Sequence, residues 1–256
     1  MRIQVNDDKE FDRLLESLSF DVVHANIHYK LFRDLYGAKV EFEREMRQSW
    51  TFWWLTIEAH RDYALYLLAR VFDQEQKSLG LRNFLQTIQK YVHLFDEVRF
   101  RERLRGNKFV DSLAKSARRP DLVKLQEHIA LVTSSDKNAD PAVRRLVTLR
   151  NTELAHRAPK PLLRPRTPEE SQRITWTEIE HLLKLAVKLL NRYSSLFKAT
   201  SYSTQIVGHD DYRHVLLAVR ENLRKWEQDI AEEIERSHQL SKDRRVEPTD
   251  VVRNGD

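Results

Sequence analysis

The sequence contains no cysteine and only five glycines among its 256 residues. Without cysteine there can be no disulfide framework, no thiolate zinc site and no cysteine nucleophile, and the absence fits a reducing compartment. Glycine normally makes up about 7 % of a globular protein, and β-sheet proteins use it in turns and bulges. Its scarcity favours helices, and glycines scattered singly exclude a glycine-rich loop for nucleotide phosphates.

Long hydrophobic runs are also missing. The densest one, WTFWWLTI from Trp50 to Ile57, has eight residues, whereas a membrane-spanning helix needs about 20. The beginning, MRIQVNDDKEFDRLLE, has no apolar stretch of signal-peptide length. We therefore expect a soluble, cytoplasmic protein with no membrane partner.

The charge of the chain is mildly basic and unevenly distributed. It has 44 Lys and Arg against 39 Asp and Glu, a net charge of +5. Residues 99–119 hold eight basic and two acidic side chains, and residues 157–173 hold five and two. Local basic surface is what a polyanion-binding protein needs, although such runs also form ordinary solvated faces.

Apolar residues recur at helical spacing through most of the chain. The pattern predicts one helix that Gly37 ends, and one long helix from Phe42 to Val71. It also predicts the following elements: shorter helices near 81–94, 107–117 and 121–134, a helix over 141–157, a helix after the capping-box pair Thr175 and Glu178, and a last helix over 211–238.

These elements predict an all-α helical bundle. Residues 158–172 contain four prolines and no periodicity, which indicates an extended loop. We see no repeat and no domain boundary, so we expect a single domain over residues 1–256, with frayed ends.

The stretch LRNTELAHR, residues 149–157, stands at the end of a helix that Pro141 begins and that must stop before Pro159. Arg150 and His156 are six positions apart, which is about 120° around the helix axis and about 9 Å along it. One helix cannot close a compact site from these two side chains. A two-fold dimer could do so by bringing two copies of the segment together.

The residue types in this stretch suit cleavage of RNA without a metal ion. His156 can transfer a proton near neutral pH, and the Arg150 guanidinium can stabilise charge on phosphoryl oxygens. Asn151 can contact a ribose or a phosphate. The alternative is that His156 and Arg157 cap the helix end and Arg150 is a surface residue.

The segment resembles the HEPN signature, in which an arginine and a polar residue are followed by a histidine after four to six intervening positions. Arg150, Asn151 and His156 fit it. The upstream TFWWLTIEAHRDYALYLLARVFD and the long helix after the proline-rich loop are similar to the AbiU-like abortive-infection branch. The resemblance covers about residues 10–200 and leaves an extra C-terminal helix in 201–240 and a disordered tail in 241–256.

The resemblance implies a helical bundle of HEPN type that forms a two-fold dimer with the motif helices facing each other. It implies a metal-independent endoribonuclease without cofactor, acting in phage defence or as the toxin of a toxin–antitoxin system. Arg150 and His156 are then the catalytic pair and Asn151 their polar helper. The implied partners are RNA, a second copy and an antitoxin protein. The alternative is an inactive module that binds RNA or protein.

The basic residues that follow the motif are the predicted RNA contacts. These are Arg157, Lys160, Arg164 and Arg166. In the alternative function, the basic stretches 99–119 and 157–173 bind the RNA.

Two pairs of residues, one of two histidines and one of a glutamate and a histidine, have spacings that metal sites use. His24 and His28 are four apart but lack a matching carboxylate, and Glu178 and His181 have the Glu-x-x-His spacing without a second copy of it. We therefore predict no metal site. His60 lies near the apolar stripe of its helix and is expected to be a core histidine.

Three tryptophans, Trp50, Trp53 and Trp54, could stack on bases. Their spacing is also that of a helix face in a core or a dimer interface, and we favour this second interpretation.

Overall fold

The computed structural model describes residues 3–116, 119–154 and 174–243, and within these ranges it leaves out the side chains of Ser116, Glu153, Leu154 and Asp243. This part of the chain is helical and contains no strand, which confirms the all-α prediction. The helices are α1 (Asp8–Glu41), α2 (Glu43–Arg47), α3 (Trp50–Val71), α4 (Leu81–Lys90), α5 (Glu97–Arg103), α6 (Val110–Ser116), α7 (Leu122–Val132), α8 (Pro141–Leu149), α9 (Trp176–Lys198) and α10 (Tyr212–Asp243).

Helix α1 is the central element and packs along both α3 and α9. The Asp7 side chain caps its first turn by accepting from the Glu10 amide at 2.8 Å. The prediction that Gly37 ends this helix is wrong, because α1 continues to Glu41. Leu35 and Ala38 are buried on either side of the glycine, and this packing outweighs the roughly 1 kcal/mol that glycine costs inside a helix.

The predicted long helix over 42–71 is also wrong, because the chain breaks around Ser49 into α2 and α3. Ser49 has a φ of −143° and a ψ of 51°, which lies outside the helical region. Phe42, which lies between α1 and α2, and Met46 of α2 are both fully buried. The burial of both residues fixes the change of chain direction between α1 and α3. The apolar spacing alone could not predict this tertiary contact, because the same spacing also fits one continuous helix.

Aromatic rings fill the core beside the first turn of α1. Phe11 is fully buried and contacts the rings of Phe84, Phe95 and Phe197, with centroid distances between 4.6 and 5.5 Å. These three come from α4, from the short 3-10 turn Val92–Phe95 and from α9. One side chain thus joins the start of α1 to three distant elements.

Helices α8 and α9 are held together at their polar edges. Asp140 caps α8 through the Ala142 amide at 2.8 Å and also accepts from the His181 imidazole at 2.6 Å. Arg145 pairs with Glu178 at 2.7 Å. The predicted capping box of Thr175 and Glu178 is confirmed at the start of α9.

Helix α10 contacts the body only through its first half among the described residues. Arg213 pairs with Glu41, and Arg220 pairs with the buried Glu45. Leu216 is fully buried. From residue 228 to residue 242 every side chain is exposed except the half-buried Ile230. The last helix begins one residue later and ends five residues later than the predicted 211–238.

Two predicted segments lie outside the described residues: the proline-rich loop 158–172 and most of the tail 241–256. Within the described residues, none of the helices is both long enough and apolar enough to cross a membrane.

Candidate active site

Arg150 stands where α8 changes its winding. The helix was expected to continue to residue 157, but it ends at Leu149 and residues Arg150–Leu154 form a wider π-helical turn. Two threonine hydroxyls donate back to carbonyls four residues earlier, Thr148 to Arg144 and Thr152 to Thr148, both at 3.0 Å. Such bonds compete with the regular ladder and bend helices. Single π-helical turns are frequent at functional sites.

The Arg150 guanidinium is fixed by a buried carboxylate. Its Nη2 donates to Oδ2 of Asp73 at 3.0 Å. The Arg150 side chain is 25 % exposed, whereas that of Asp73 is 9 % exposed. Because a buried carboxylate must be paired or hydrogen-bonded, the pair holds Arg150 at one orientation while leaving part of it open to solvent.

Asp73 has its own position fixed by the backbone around it. It follows the last residues of α3, and its amide donates to the Arg70 carbonyl at 3.2 Å. Its second carboxylate oxygen, Oδ1, accepts from the Glu75 amide at 2.9 Å. Both carboxylate oxygens therefore have donors, one on the local turn and one on Arg150.

Gly80 packs closely against the backbone of this turn. A Cβ atom added at Gly80 would lie 2.8 Å from the Asp73 carbonyl oxygen and 3.2 Å from the Asp73 amide nitrogen. Carbon atoms do not approach the backbone this closely, so only glycine fits. The close approach brings the start of α4 against the end of α3, next to Asp73.

Asn151 lies beside Arg150 on the exposed side of the turn. Nη1 of Arg150 donates to Oδ1 of Asn151 at 3.4 Å. The structure therefore brings together two of the three predicted catalytic residues. The third, His156, and the predicted RNA contacts Arg157, Lys160, Arg164 and Arg166 lie outside the described residues.

Asp73 is the site residue that sequence reasoning missed. It is 77 positions from Arg150, and no helical spacing relates the two. One signal for it was present in the sequence. Asp73 directly follows the mostly apolar stretch LLARVF, of which Val71 and Phe72 are buried. A carboxylate in such surroundings needs a cationic or hydrogen-bonded partner.

Neither His24 with His28 nor Glu178 with His181 forms a metal site among the described residues. No three histidine, aspartate or glutamate side chains there are close enough to hold an ion. His181 is engaged with Asp140, and Glu178 with Arg145. His28 contacts His60 instead of completing a site with His24.

His28 and His60 join α1 to α3 through their Nδ1 atoms, 2.8 Å apart. Burial lowers the pKa of both imidazoles from the usual 6.5, and the neighbouring His60 and His24 lower the pKa of His28 further. His60 is half-buried and hydrogen-bonded, rather than fully in the core as expected.

The tryptophans divide between core and surface. Trp53 is buried as the core interpretation expected, but Trp50 and Trp54 are 46 % and 43 % exposed. The Lys39 ammonium lies over both exposed rings, at 5.3 and 5.1 Å from their centroids. Lys39, Trp50 and Trp54 therefore form a cation–π cluster at the surface.

Comparison with known protein families shows which family the chain matches. The AbiU2 family model of the HEPN proteins matches residues 8–216, a longer range than the 10–200 expected from the sequence. No curated protein matches the chain, and no solved structure does.

Proposed function

Because the chain belongs to the AbiU2 family of HEPN proteins, we propose that it is a metal-independent endoribonuclease. It acts in phage defence or as the toxin of a toxin–antitoxin system. The observation that carries the proposal is the guanidinium of Arg150, which the buried Asp73 orients at the start of the signature. A fixed, partly exposed cation is suited to stabilising charge that develops on a phosphoryl group.

The proposed reaction is an internal transesterification. The ribose 2′-oxygen attacks the adjacent phosphorus and loses its proton, and the bond to the 5′-oxygen of the next nucleotide breaks. His156 transfers this proton from the 2′-oxygen to the departing 5′-oxygen, Arg150 neutralises the non-bridging oxygens, and Asn151 contacts the ribose or the phosphate. The products are a 2′,3′-cyclic phosphate and a 5′-hydroxyl. DNA is not cut because it lacks the attacking oxygen.

The proposed partners follow from the position of the motif. Two copies of the helix end form a two-fold dimer, and each of its sites is composite. The RNA backbone is bound by Arg157, Lys160, Arg164 and Arg166. An antitoxin protein inhibits the resting enzyme. The protein works in the cytoplasm as a single domain over residues 1–256.

The test is incubation of the purified chain with total cellular RNA in EDTA. The wild type, Arg150→Ala and His156→Ala are compared with Arg13→Ala, which changes an arginine that is 74 % exposed on α1. We expect the wild type and Arg13→Ala to leave cyclic phosphate ends. The other two should lose at least about 10²-fold in rate. Cleavage by His156→Ala at the wild-type rate would reject the mechanism.

The second candidate is a catalytically inactive module that binds RNA or a protein. It is favoured by the fact that Arg150 already has a carboxylate partner, which reduces the charge available to a phosphate. This function predicts RNA binding that weakens steeply with salt, together with intact RNA in the EDTA assay.

A further inference from the structure

An apolar stripe runs along α10. It consists of Val219, Leu223, Trp226, Ile230 and Ile234, at intervals of three or four, and such residues share one side of a helix. The stripe continues the side that carries the fully buried Leu216. Val219 and Leu223 are half-buried, whereas Trp226 is 61 % and Ile234 is 54 % exposed. The stripe thus extends past the body that covers its first part.

The exposed half of α10 has little to stabilise it. Residues 228–243 span about 24 Å, and isolated helices of this length are marginal in water because most helical stability comes from packing of an apolar face. Its i,i+4 ion pair, Glu232 with Arg236, is between side chains 67 % and 75 % exposed, and such pairs contribute little. A partner that covers the stripe would supply the missing packing.

Charge along α10 indicates which partner fits. Because Arg220 is already paired with Glu45, the basic side chains left in residues 220–225 are Arg224 and Lys225, beside one acidic side chain, Glu221. Residues 227–235 carry five acidic side chains and no basic one, and the first of the five, Glu227, pairs with Arg44. A second α10 lying parallel would place the two acidic runs side by side. A second α10 lying antiparallel would place each acidic run beside a basic one, which is complementary.

We propose that α10 pairs antiparallel with α10 of a second copy of this chain, through the stripe from Val219 to Ile234. A two-fold axis near Gln228 sets Trp226 opposite the partner subunit's Ile230 and Val219 opposite the partner subunit's Ser237. Such an interface is isologous and closes on itself. It lies beyond the residues 8–216 that the family model matches and does not depend on ribonuclease activity. Its two-fold axis is separate from that of the dimer proposed for the motif, so loss of the α10 pair halves the mass whether or not the motif pair forms.

The first test is the mass of the full-length chain by sedimentation over a wide range of concentration. The wild type is compared with Trp226→Glu and with Leu217→Glu. Leu217 is 47 % exposed and lies nine positions from Trp226, about 180° around the helix. We expect the wild type and Leu217→Glu to share one mass and Trp226→Glu to have half of it. Equal masses for all three, a monomeric wild type, or a loss in Leu217→Glu as well would overturn the proposal.

The second test determines whether the two α10 helices are parallel or antiparallel. It introduces single cysteines into a chain that has none of its own. Val219→Cys and Ser237→Cys are oxidised separately and as a mixture, because a disulfide forms only between residues whose Cβ atoms are about 4 Å apart. We expect a cross-linked dimer in the mixture alone. Cross-linking of each variant by itself would show a parallel pair and overturn the proposal. No cross-linking in any sample would overturn it too.

Discussion

At the scale of single residues, the ion pair of Arg150 and Asp73 decides how the signature is presented. The carboxylate is 9 % exposed on its side chain and accepts from two donors. The Asp73 carboxylate limits the directions in which the Arg150 guanidinium can point. A group that must stabilise a developing charge benefits from being held in place before the reaction.

Asp73→Asn is therefore expected to reduce RNA cleavage on the order of 10²-fold, because small misplacements of a catalytic group cost about this much. The amide keeps the size of the side chain and removes the charge that fixes Arg150. The initial cleavage rate and the melting temperature are measured together. Asp62→Asn is the control, because it breaks an ion pair of a side chain that is 63 % exposed and should change the free energy of unfolding by less than about 0.5 kcal/mol. An unchanged rate in Asp73→Asn would show that the pair is only structural.

Two glycines give opposite predictions for the same substitution. Gly80→Ala puts a Cβ atom 2.8 Å from the Asp73 carbonyl oxygen, so the turn has to move. We expect a lower free energy of unfolding and slower cleavage. Gly37→Ala adds a methyl group inside α1 with no atom within 4 Å, and it should stabilise the protein by about 0.5–1 kcal/mol. Denaturant unfolding of both variants checks this pair, and a stabilised Gly80→Ala would contradict the close packing.

At the scale of helices, the contact between His28 and His60 makes the junction of α1 and α3 sensitive to acid. One Nδ1 must donate and the other must accept across 2.8 Å. If both rings were fully protonated, both Nδ1 atoms would be donors and the bond would be lost. Tyr63 packs edge-on against His28, and His24 stacks beside it, so the pair belongs to a larger aromatic surface.

The sign of the pH dependence follows from the lowered pKa of both histidines. Between the lowered folded pKa and the unfolded value of about 6.5, the unfolded chain binds more protons than the folded one. The stability contributed by the neutral pair is therefore complete above about 6.5 and is lost as the pH falls towards the folded pKa. The melting temperature should drop over this window.

The double variant His28→Gln with His60→Gln should make that drop shallower, since it removes the two titrating groups of this contact, while His128, whose pKa is also lowered by burial, remains. His238→Gln, on an exposed turn of α10, serves as the control and should keep the wild-type profile. A double variant whose melting temperature still falls as steeply as that of the wild type would assign the acid sensitivity to other groups.

The sequence predicted helices well where local chemistry sets their ends. The capping box of Thr175 and Glu178 and the start of α8 at Pro141 are both confirmed. The predictions were wrong at Gly37 and Ser49, where the end of a helix depends on which side chains the rest of the molecule buries. The π-helical turn at Arg150 was missed because it depends on threonine hydroxyls and on the distant Asp73. The nature of the helices was thus predictable, but the orientation of Arg150 was not.

At the scale of the whole molecule, the basic stretch 99–119 is less available to RNA than its composition suggested. Arg99 and Arg103 both pair with Asp8, and Arg103 is mostly buried over the Phe197 ring. Arg101 pairs with Glu97 and Asp111. The two pairs with Asp8 hold α5 against the start of α1. Charges that stabilise the bundle in this way contribute less to a polyanion-binding surface.

The composite dimer gives a prediction that needs no knowledge of the RNA target. If each site takes Arg150 from one subunit and His156 from the other, neither Arg150→Ala nor His156→Ala alone can form an intact site. Mixed dimers of the two variants have one intact site and one that lacks both residues. Random mixing makes half of the dimers mixed, so the mixture should recover about a quarter of the wild-type cleavage rate.

Complementation separates this arrangement from a site within one subunit. In that case a mixture of the two inactive variants would remain inactive at every ratio. The subunits must exchange for the test to apply, so the variants are unfolded together and refolded before the assay. Recovered cleavage also requires that Arg150→Ala folds normally, and its melting temperature shows this. A recovered rate would place two chains around one scissile phosphate, the arrangement that the sequence predicted from the six-position spacing of Arg150 and His156 in a regular helix.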